Sequence, residues 1–532
     1  MIITQTQTQA DAAPAIAAAG GHRPLAAAAA GMGALAFVLG VAGSWIPSLW
    51  GDEATSVMSA TRPLGSLLQM LTRVDAVHGL YYVVLHGWIE VFGSSPFAVR
   101  FPSAIGVAVC AAAVVWLTGR VVGLPTAVLA GLFAAVLPRL TYAAEETRSY
   151  AFDAAIAAVL CAIVVEILLR RPTGRRWWVA YAAVLALGTY SFLYVGLMSL
   201  AAGFAVVTHR RSRLLWRRWL QASAVGLAAA IPLFVFAVLE RHQIAYLTNA
   251  DAVSVASVFV QMWFGKIWFA DIAWVLIGVA ILAFIIDLVR RARTAAPHAG
   301  ETADAVHLEP LVIAWLVVPM GVLIAVSPLM ADFTSRYGTL AAPAAAILMA
   351  LGVRRLALML RARAVAGAAA GLLALVVVVA AVPIWASQRT PFAKNSSDWN
   401  QIAQVVSQRA RPGDAVVFDA SARPSRRPRL AMDTDPAAFR TVRDVLLQTP
   451  YPHASYWWDD TYTVAQAAAM GRFDAVRRVW LVEYAGAGRV DTWGLSSLQS
   501  IGFHPVETIR DHSSEIVLLT TTGTDSAPGL TR

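Results

Sequence analysis

Long apolar runs alternate with short polar connections over the first three quarters of the chain. The clearest runs are 25–46, 100–118, 124–142, 150–169, 177–190, 191–207, 219–239, 272–290, 308–327, 338–353 and 364–384. Most approach the ~20 apolar residues that a helix needs to cross hydrocarbon, which predicts an all-α polytopic membrane protein of about eleven spans. The runs 177–190 and 191–207 are short and predict two short helices meeting near Tyr190-Ser191-Phe192. The run 79–92 is also short, and its aromatic and apolar residues predict a helix lying at the interface or dipping into it. Residues 1–24 begin rich in Ala, Gln and Thr with no basic start, and predict a disordered cytoplasmic tail rather than a cleaved signal.

From about residue 387 the pattern changes. Ser396-Ser397-Asp398 is placed to cap a helix whose Trp399, Ile402, Val405 and Val406 share one apolar face. Pro412-Gly413-Asp414 predicts a turn into a strand at 415–418, with further strands at 479–482 and 515–519. Residues 387–532 therefore read as a soluble α/β domain, and 25–386 as the membrane domain with a first outer loop at 44–99. Arg423, Arg426, Arg427 and Arg429 sit among prolines, as a solvated basic loop or a contact for an anionic or sugar acceptor. Tyr456-Trp457-Trp458-Asp459-Asp460 is either ordinary packing or a sugar-stacking patch.

Composition agrees with the membrane reading: 58% of residues are hydrophobic and 14% charged, against about 25% charged in soluble proteins. The net charge of +10 comes from arginine clusters between apolar runs, which indicates membrane orientation and not nucleic-acid binding. Four clusters stand out, at Arg170, Arg171, Arg175 and Arg176; Arg210, Arg211, Arg213, Arg217 and Arg218; Arg290, Arg291 and Arg293; and Arg354, Arg355, Arg361 and Arg363. Placing all four in the cytoplasm puts the N-terminus inside and the C-terminal domain outside, in the cell membrane. Loops 44–99, 143–149, 240–271 and 328–337 then share the outer face. The two cysteines, Cys110 and Cys161, lie in apolar runs and do not suggest a disulfide framework.

Those outer loops carry the chemistry. Asp52 and Glu53 sit just past the first apolar run, where carboxylates are costly unless water, a partner or a substrate uses them. An ionised carboxylate facing a wet cavity can take a proton from an attacking hydroxyl, and a second can hold the acceptor or a divalent cation. The alternative is a helix N-terminal pair favoured by the dipole. Glu145 and Glu146 precede Arg148, either as a surface pair or as a second acidic site oriented by that arginine. Arg336, beside Tyr337, faces outside against the usual bias and suits a phosphate, although arginine there can also anchor a helix to headgroups. His78 is a structural histidine or a donor to a phosphate oxygen.

The order of these elements carries a resemblance. Asp52-Glu53 precedes His78-Gly79-Leu80-Tyr81-Tyr82, then Phe97-Ala98-Val99-Arg100-Phe101-Pro102-Ser103, the acidic-arginine element at 145–148, and Arg336-Tyr337. Over roughly residues 40–340 this resembles the GT-C glycosyltransferases, in particular the family 39-like group of protein mannosyltransferases and aminoarabinose transferases. The resemblance implies a polyprenyl-phosphate sugar donor, inversion at the sugar carbon, and a glycan, glycolipid or protein acceptor. It implies Asp52 as general base with Glu53 beside it, and Arg336, Tyr337 and His78 at the donor phosphate. Glu145 or Glu146 stands near the family's second acidic position, and Gly79 follows His78 where the family has proline. Mannose is the leading donor sugar, with arabinofuranose second. A magnesium or manganese ion is a possible cofactor, and the lipid bilayer and lipid donor are the expected partners. A lipid-linked sugar flippase is the competing class, but it would usually carry an internal repeat, and none is evident in the sequence.

Overall fold

The structure is a computed structural model that describes residues 22–170, 174–209, 213–241, 253–294, 306–328, 333–486 and 493–521. The expected tail falls outside these up to residue 21, and His22–Pro24 already belong to the first helix. Arg171, Arg210 and Arg211 also lie outside them.

The membrane body follows the apolar runs. Its helices begin with α1 (His22–Val41), α2 (Gly51–Ala60), α3 (Leu64–Leu71), α4 (Gly79–Phe92), α5 (Pro96–Val121), α6 (Leu124–Val136), α7 (Pro138–Ala144) and α8 (Tyr150–Leu169). They continue with α9 (Arg175–Ser191), α10 (Met198–His209), α11 (Arg213–Ala229), α12 (Ile231–Leu239), α13 (Ile267–Thr294), α14 (Glu309–Val326), α15 (Ala342–Leu358) and α16 (Arg363–Gln388). Among the described residues seven helices are long and apolar enough to cross a membrane, and nine if two bent pairs each count once. The roughly eleven spans expected from the sequence include apolar helices that are shorter than this, such as the stretch 193–208. The runs 177–190 and 191–207 form helices, but α9 has 17 residues and α10 has 12. The chain breaks at Phe192, whose backbone is extended, where the sequence predicts, and a 3-10 turn at Leu193–Leu197 leads from there into α10. The run 79–92 becomes α4, whose 14 residues span about 21 Å, short of the ~30 Å hydrocarbon thickness.

Proline sets the bends. Leu137 precedes Pro138, takes an extended conformation and splits α6 from α7 by 59°. Pro232 enters at the start of α12, where the chain bends by 51° from α11. Small residues set the packing distances, as expected where lipid removes most of the hydrophobic drive. α15 is the central helix, with Ala342–Val353 buried throughout. At Gly352 the backbone of α13 comes so close that a Cβ would stand 2.1 Å from the Leu276 carbonyl oxygen.

Beyond α16, helix α17 (Trp399–Arg409) leads into a five-stranded sheet. Its strands are β1 (Ala415–Phe418), β2 (Arg443–Asp444), β3 (Arg478–Tyr484), β4 (Phe503–Arg510) and β5 (Ser514–Thr521), in spatial order β2-β1-β3-β5-β4. β1 runs parallel to both neighbours, with Val416 opposite Trp480, while β5 is antiparallel to β3 and β4. The three strands expected from the sequence are all present. The expected helix cap is not: Ser397 donates its hydroxyl to the Leu49 carbonyl at 2.6 Å. The Asp398 carboxylate instead accepts from Ser513 N at 2.7 Å and Ser514 Oγ at 2.9 Å, tying α17 to β5.

One apolar core joins the first loop to this sheet. Leu49, Val57, Met58, Leu67, Met70 and Tyr82 pack with Trp399, Val406, Phe418, Leu430, Trp480 and Ile516. The segment bearing Asp52 is therefore seated between the membrane helices and the α/β domain.

Candidate active site

Asp52 and Glu53 occupy the first turn of α2, where the helix dipole favours negative charge. Neighbours on a helix diverge by about 100°, so the two carboxylates leave in different directions. Glu53 turns into the protein and is fully buried. Arg100 on α5 grips it with two bonds, Nε to Oε1 at 2.8 Å and Nη2 to Oε2 at 2.6 Å. Thr147 N donates to Oε1 at 2.9 Å. The rest of the Arg100 fork reaches the carbonyls of Ser44, Pro47 and Ser48, at 2.6, 2.9 and 3.2 Å. Burial alone would raise the Glu53 carboxyl, but the Arg100 guanidinium more than offsets it and holds the group below the usual carboxylate range.

Asp52 goes the other way and pairs with Arg336, each side chain 21% exposed. Arg336 sits in the tight turn Ser335–Ala341 that feeds α15, its guanidinium 5.5 Å from the Trp50 ring centroid and its Nε without a hydrogen-bond partner. Tyr337 turns elsewhere, into an aromatic cluster with Tyr150, Phe192 and Tyr194 at centroid distances of 6.3, 5.0 and 5.4 Å.

The acidic-arginine element divides in the same way. Glu145 is buried against Lys394 at 3.4 Å and Arg389 at 3.6 Å, both from the segment leading into the α/β domain. Burial raises the Glu145 carboxyl, opposed by those two cations. Glu146 is buried with Oε1 lacking a hydrogen-bond partner, and burial raises it as well. Arg148 does not orient either glutamate with its side chain, contrary to the sequence expectation. Its guanidinium meets His78 Nε2 at 2.8 Å, Tyr82 Oη at 3.1 Å and Ser56 Oγ at 3.4 Å. Arginine can only donate, so His78 Nε2 accepts and the proton sits on Nδ1, which has no partner. Burial and the nearby Arg148 and Arg336 hold His78 well below its ordinary value, as a neutral ring. Tyr82 in turn donates to Asp75, whose backbone lies in the left-handed region at φ 62°.

Contacts thus knit the four loops that the sequence assigned to one face. Asp52 meets Arg336, Glu53 meets Thr147, and Ala76 N donates to Glu240 Oε2 at 2.9 Å. Trp263 Nε1 donates to the Gly338 carbonyl at 2.9 Å. His242, Gln243 and Asp332, expected on the same face, lie outside the described residues. Between these loops opens a cavity of about 280 Å³ lined by Trp50, Arg139, Tyr142, Glu146, Gln261, Arg336 and Gln388 among others. Sequence reasoning missed Arg139, Lys394 and Arg389, and did not list Arg100 as a site residue. For Arg100 and Arg139 the signal was available, since each is a charge within an apolar run. Among the described residues no three His, Cys, Asp or Glu side chains converge on a point that could hold a metal ion.

Comparison with known proteins shows which fold the chain shares. The structure of ArnT from Cupriavidus metallidurans bound to undecaprenyl phosphate superposes with a TM-score of 0.52 at 15% identity, over 92% of this chain and 97% of that one. Its apo structure gives the same TM-score at 12% identity and the same coverage. Arabinofuranosyltransferase AftD from Mycobacteria matches with a TM-score of 0.50 at 16% identity, over 95% of this chain and 40% of AftD. Residues 80–239 match the family model described as dolichyl-phosphate-mannose-protein mannosyltransferase, under a third of the chain. No curated protein matches by sequence. The chain is a multi-pass membrane protein with the GT-C fold and a C-terminal sheet domain.

Proposed function

We propose that this protein is an integral membrane glycosyltransferase that moves a sugar from a polyprenyl-phosphate donor to an extracytoplasmic acceptor hydroxyl, with inversion. The observation that carries the reading is the Asp52–Arg336 pair beside the 280 Å³ cavity. It joins a carboxylate able to take the acceptor proton to a guanidinium able to hold the lipid phosphate. The fold shared with ArnT, whose structure has undecaprenyl phosphate bound, supports the donor class. The family model at 80–239 favours mannose, and the likeness to AftD supports arabinofuranose as the second reading.

In this mechanism the acceptor oxygen attacks C1 of the sugar while its proton passes to Asp52. The C1–O bond to phosphate breaks, and its electron pair stays on the phosphate oxygen. The transition state carries oxocarbenium character, and Arg336 stabilises the charge that gathers on the leaving phosphate. The His78 Nδ1–H is a second donor available to a phosphate oxygen. Glu53 acts through the scaffold, fixing the first turn of α2. The donor enters sideways from the bilayer, the N-terminus is cytoplasmic and the sheet domain is extracytoplasmic. The acceptor is a glycan, a glycolipid or a protein.

Purified protein assayed with a panel of synthetic polyprenyl-phosphate sugars tests the reading. Transfer from the mannose or arabinofuranose donor is the expected result, abolished in Asp52→Asn while donor binding persists. Undiminished transfer by Asp52→Asn sinks the assignment of the base. Lipid translocation without transfer would favour the flippase.

A further inference from the structure

The cavity carries a cation that the mechanism above leaves unused. Arg139 opens α7 directly after Pro138, and its place is fixed from several sides. Its backbone N donates to the Trp263 carbonyl at 3.1 Å, its Nε to the Met262 carbonyl at 2.8 Å and its Nη2 to the Gln261 carbonyl at 2.7 Å. The Tyr142 ring centroid lies 5.9 Å from the guanidinium carbon. Two carbonyls satisfy part of the donor fork, and the main opposing charge acting on it is the Glu146 carboxylate across the cavity, with which it forms no direct ion pair. The same cavity is lined by Arg336, whose Nε has no partner, and by Glu146, whose buried Oε1 has none. Two guanidinium groups therefore border a space large enough for a phosphate and part of a sugar, and Arg139 has no carboxylate in direct contact with it.

We propose that Arg139 is a second anchor for the donor phosphate, which the cavity holds between Arg139 and Arg336. The proposal rests on the glycosyl-transfer reading and adds a residue to it. Its chemical logic is one of charge. The donor phosphodiester carries one negative charge. When the C1–O bond breaks, the phosphate becomes a monoester whose second ionisation lies near pH 6, so about two charges gather by neutral pH. A second guanidinium gains most from that change, and Arg139 therefore acts on the leaving group more than on the intact donor. Phosphate engaged by Arg336 also competes with Asp52 for the same guanidinium, freeing the carboxylate to accept the acceptor proton. The donor is then required before the base is available.

The test uses the full-length chain in detergent, with binding of undecaprenyl phosphate and of undecaprenol measured side by side. Arg139→Gln should weaken undecaprenyl phosphate about tenfold to a hundredfold, the loss of one charge-assisted hydrogen bond. Affinity for undecaprenol should not change, and Arg139→Lys should recover most of the phosphate preference. An Arg139→Gln protein that binds undecaprenyl phosphate like the wild type would overturn the proposal. So would one that loses both lipids equally, since Arg139 would then merely tether residues 261–262. A wild-type protein with no preference for undecaprenyl phosphate over undecaprenol would overturn the glycosyl-transfer reading itself.

Discussion

The adjacent carboxylates of α2 should fail in opposite ways when each is made neutral. Glu53→Gln removes the charge that three hydrogen bonds converge on, two from Arg100 and one from Thr147 N. Both side chains of the ion pair are fully buried, and removing one partner of such a pair typically costs about 3–5 kcal/mol. The Gln carbonyl keeps one acceptor, and Arg100 keeps the carbonyls of Ser44, Pro47 and Ser48, so the lower end, about 3 kcal/mol, applies. That is a large fraction of the ~5–15 kcal/mol that holds a domain folded. Asp52→Asn disturbs a pair whose side chains are each 21% exposed, where solvent screens the attraction to about 1 kcal/mol or less. Thermal unfolding in detergent, followed by tryptophan fluorescence, should therefore show a marked drop for Glu53→Gln and little change for Asp52→Asn. Sugar transfer measured on the same samples, below either transition, should be abolished in Asp52→Asn. In Glu53→Gln it should fall in part, from the smaller folded fraction and the loosened first turn of α2, without being abolished. A Glu53→Gln protein that melts like the wild type yet has lost turnover would refute the division of labour. An Asp52→Asn protein that unfolds as readily as Glu53→Gln would refute it too.

His78 predicts an acid limb. The folded protein holds the ring below its ordinary value of about 6.5, so the unfolded chain takes the extra proton first. Stability from this group is complete above about pH 6.5 and is lost as pH falls below it. Melting temperature against pH should show that decline, and His78→Gln should flatten it; an unchanged slope would mean that another group sets the limb. At the helix crossing, Gly352→Ala should cost about 3 kcal/mol, the upper end for overpacking, because the Leu276 carbonyl 2.1 Å from the new Cβ is backbone and cannot rotate aside. Gly367→Ala on α16, with nothing within 4 Å, should be neutral or stabilising in the same unfolding assay. Equal melting points for the two variants would contradict the packing of α13 on α15.

Much of the fold is written in the period and length of the apolar runs, because lipid forces every spanning backbone into helices. The break at Phe192 and the strands at 415–418, 479–482 and 515–519 were legible for local reasons, in the short runs and alternating turns that flank them. The number of spans was less so. The run 177–190 already reads as short, but 124–142 reads as one continuous run, and only the tertiary structure shows that α6 and α7 part at Pro138. At the site, arginine placement brought Asp52 and Arg336 onto one face across 284 positions of sequence. It could not separate Asp52 from Glu53, since which neighbour turns inward depends on where Arg100 stands. Nor could it reveal Lys394, which reaches Glu145 from beyond the last apolar run and looks in sequence like an ordinary linker lysine.

Those later residues suggest why the sheet domain matters to the chemistry. Lys394 and Arg389 neutralise Glu145, Ser397 holds the Leu49 carbonyl, and the loop at Ser425 lies so close to Gly51 that a Cβ there would stand 2.4 Å from its carbonyl oxygen. Each contact falls within a few residues of Asp52 in sequence or on its buried supports. On the membrane side, Arg100 closes the same turn by binding Glu53 and three carbonyls of residues 44–48. The first turn of α2 is thus fixed from two sides by groups that never enter the cavity, and Asp52 is left as its one charged side chain directed at Arg336. A carboxylate meant to accept a proton at a defined point gains from such restraint, because a reacting group misplaced by an ångström forfeits much of its rate advantage. The sheet domain and the buried Glu53–Arg100 pair are on this view two halves of one support, and the adjacency of Asp52 and Glu53 in sequence is what lets a single helical turn serve both the scaffold and the proposed reaction.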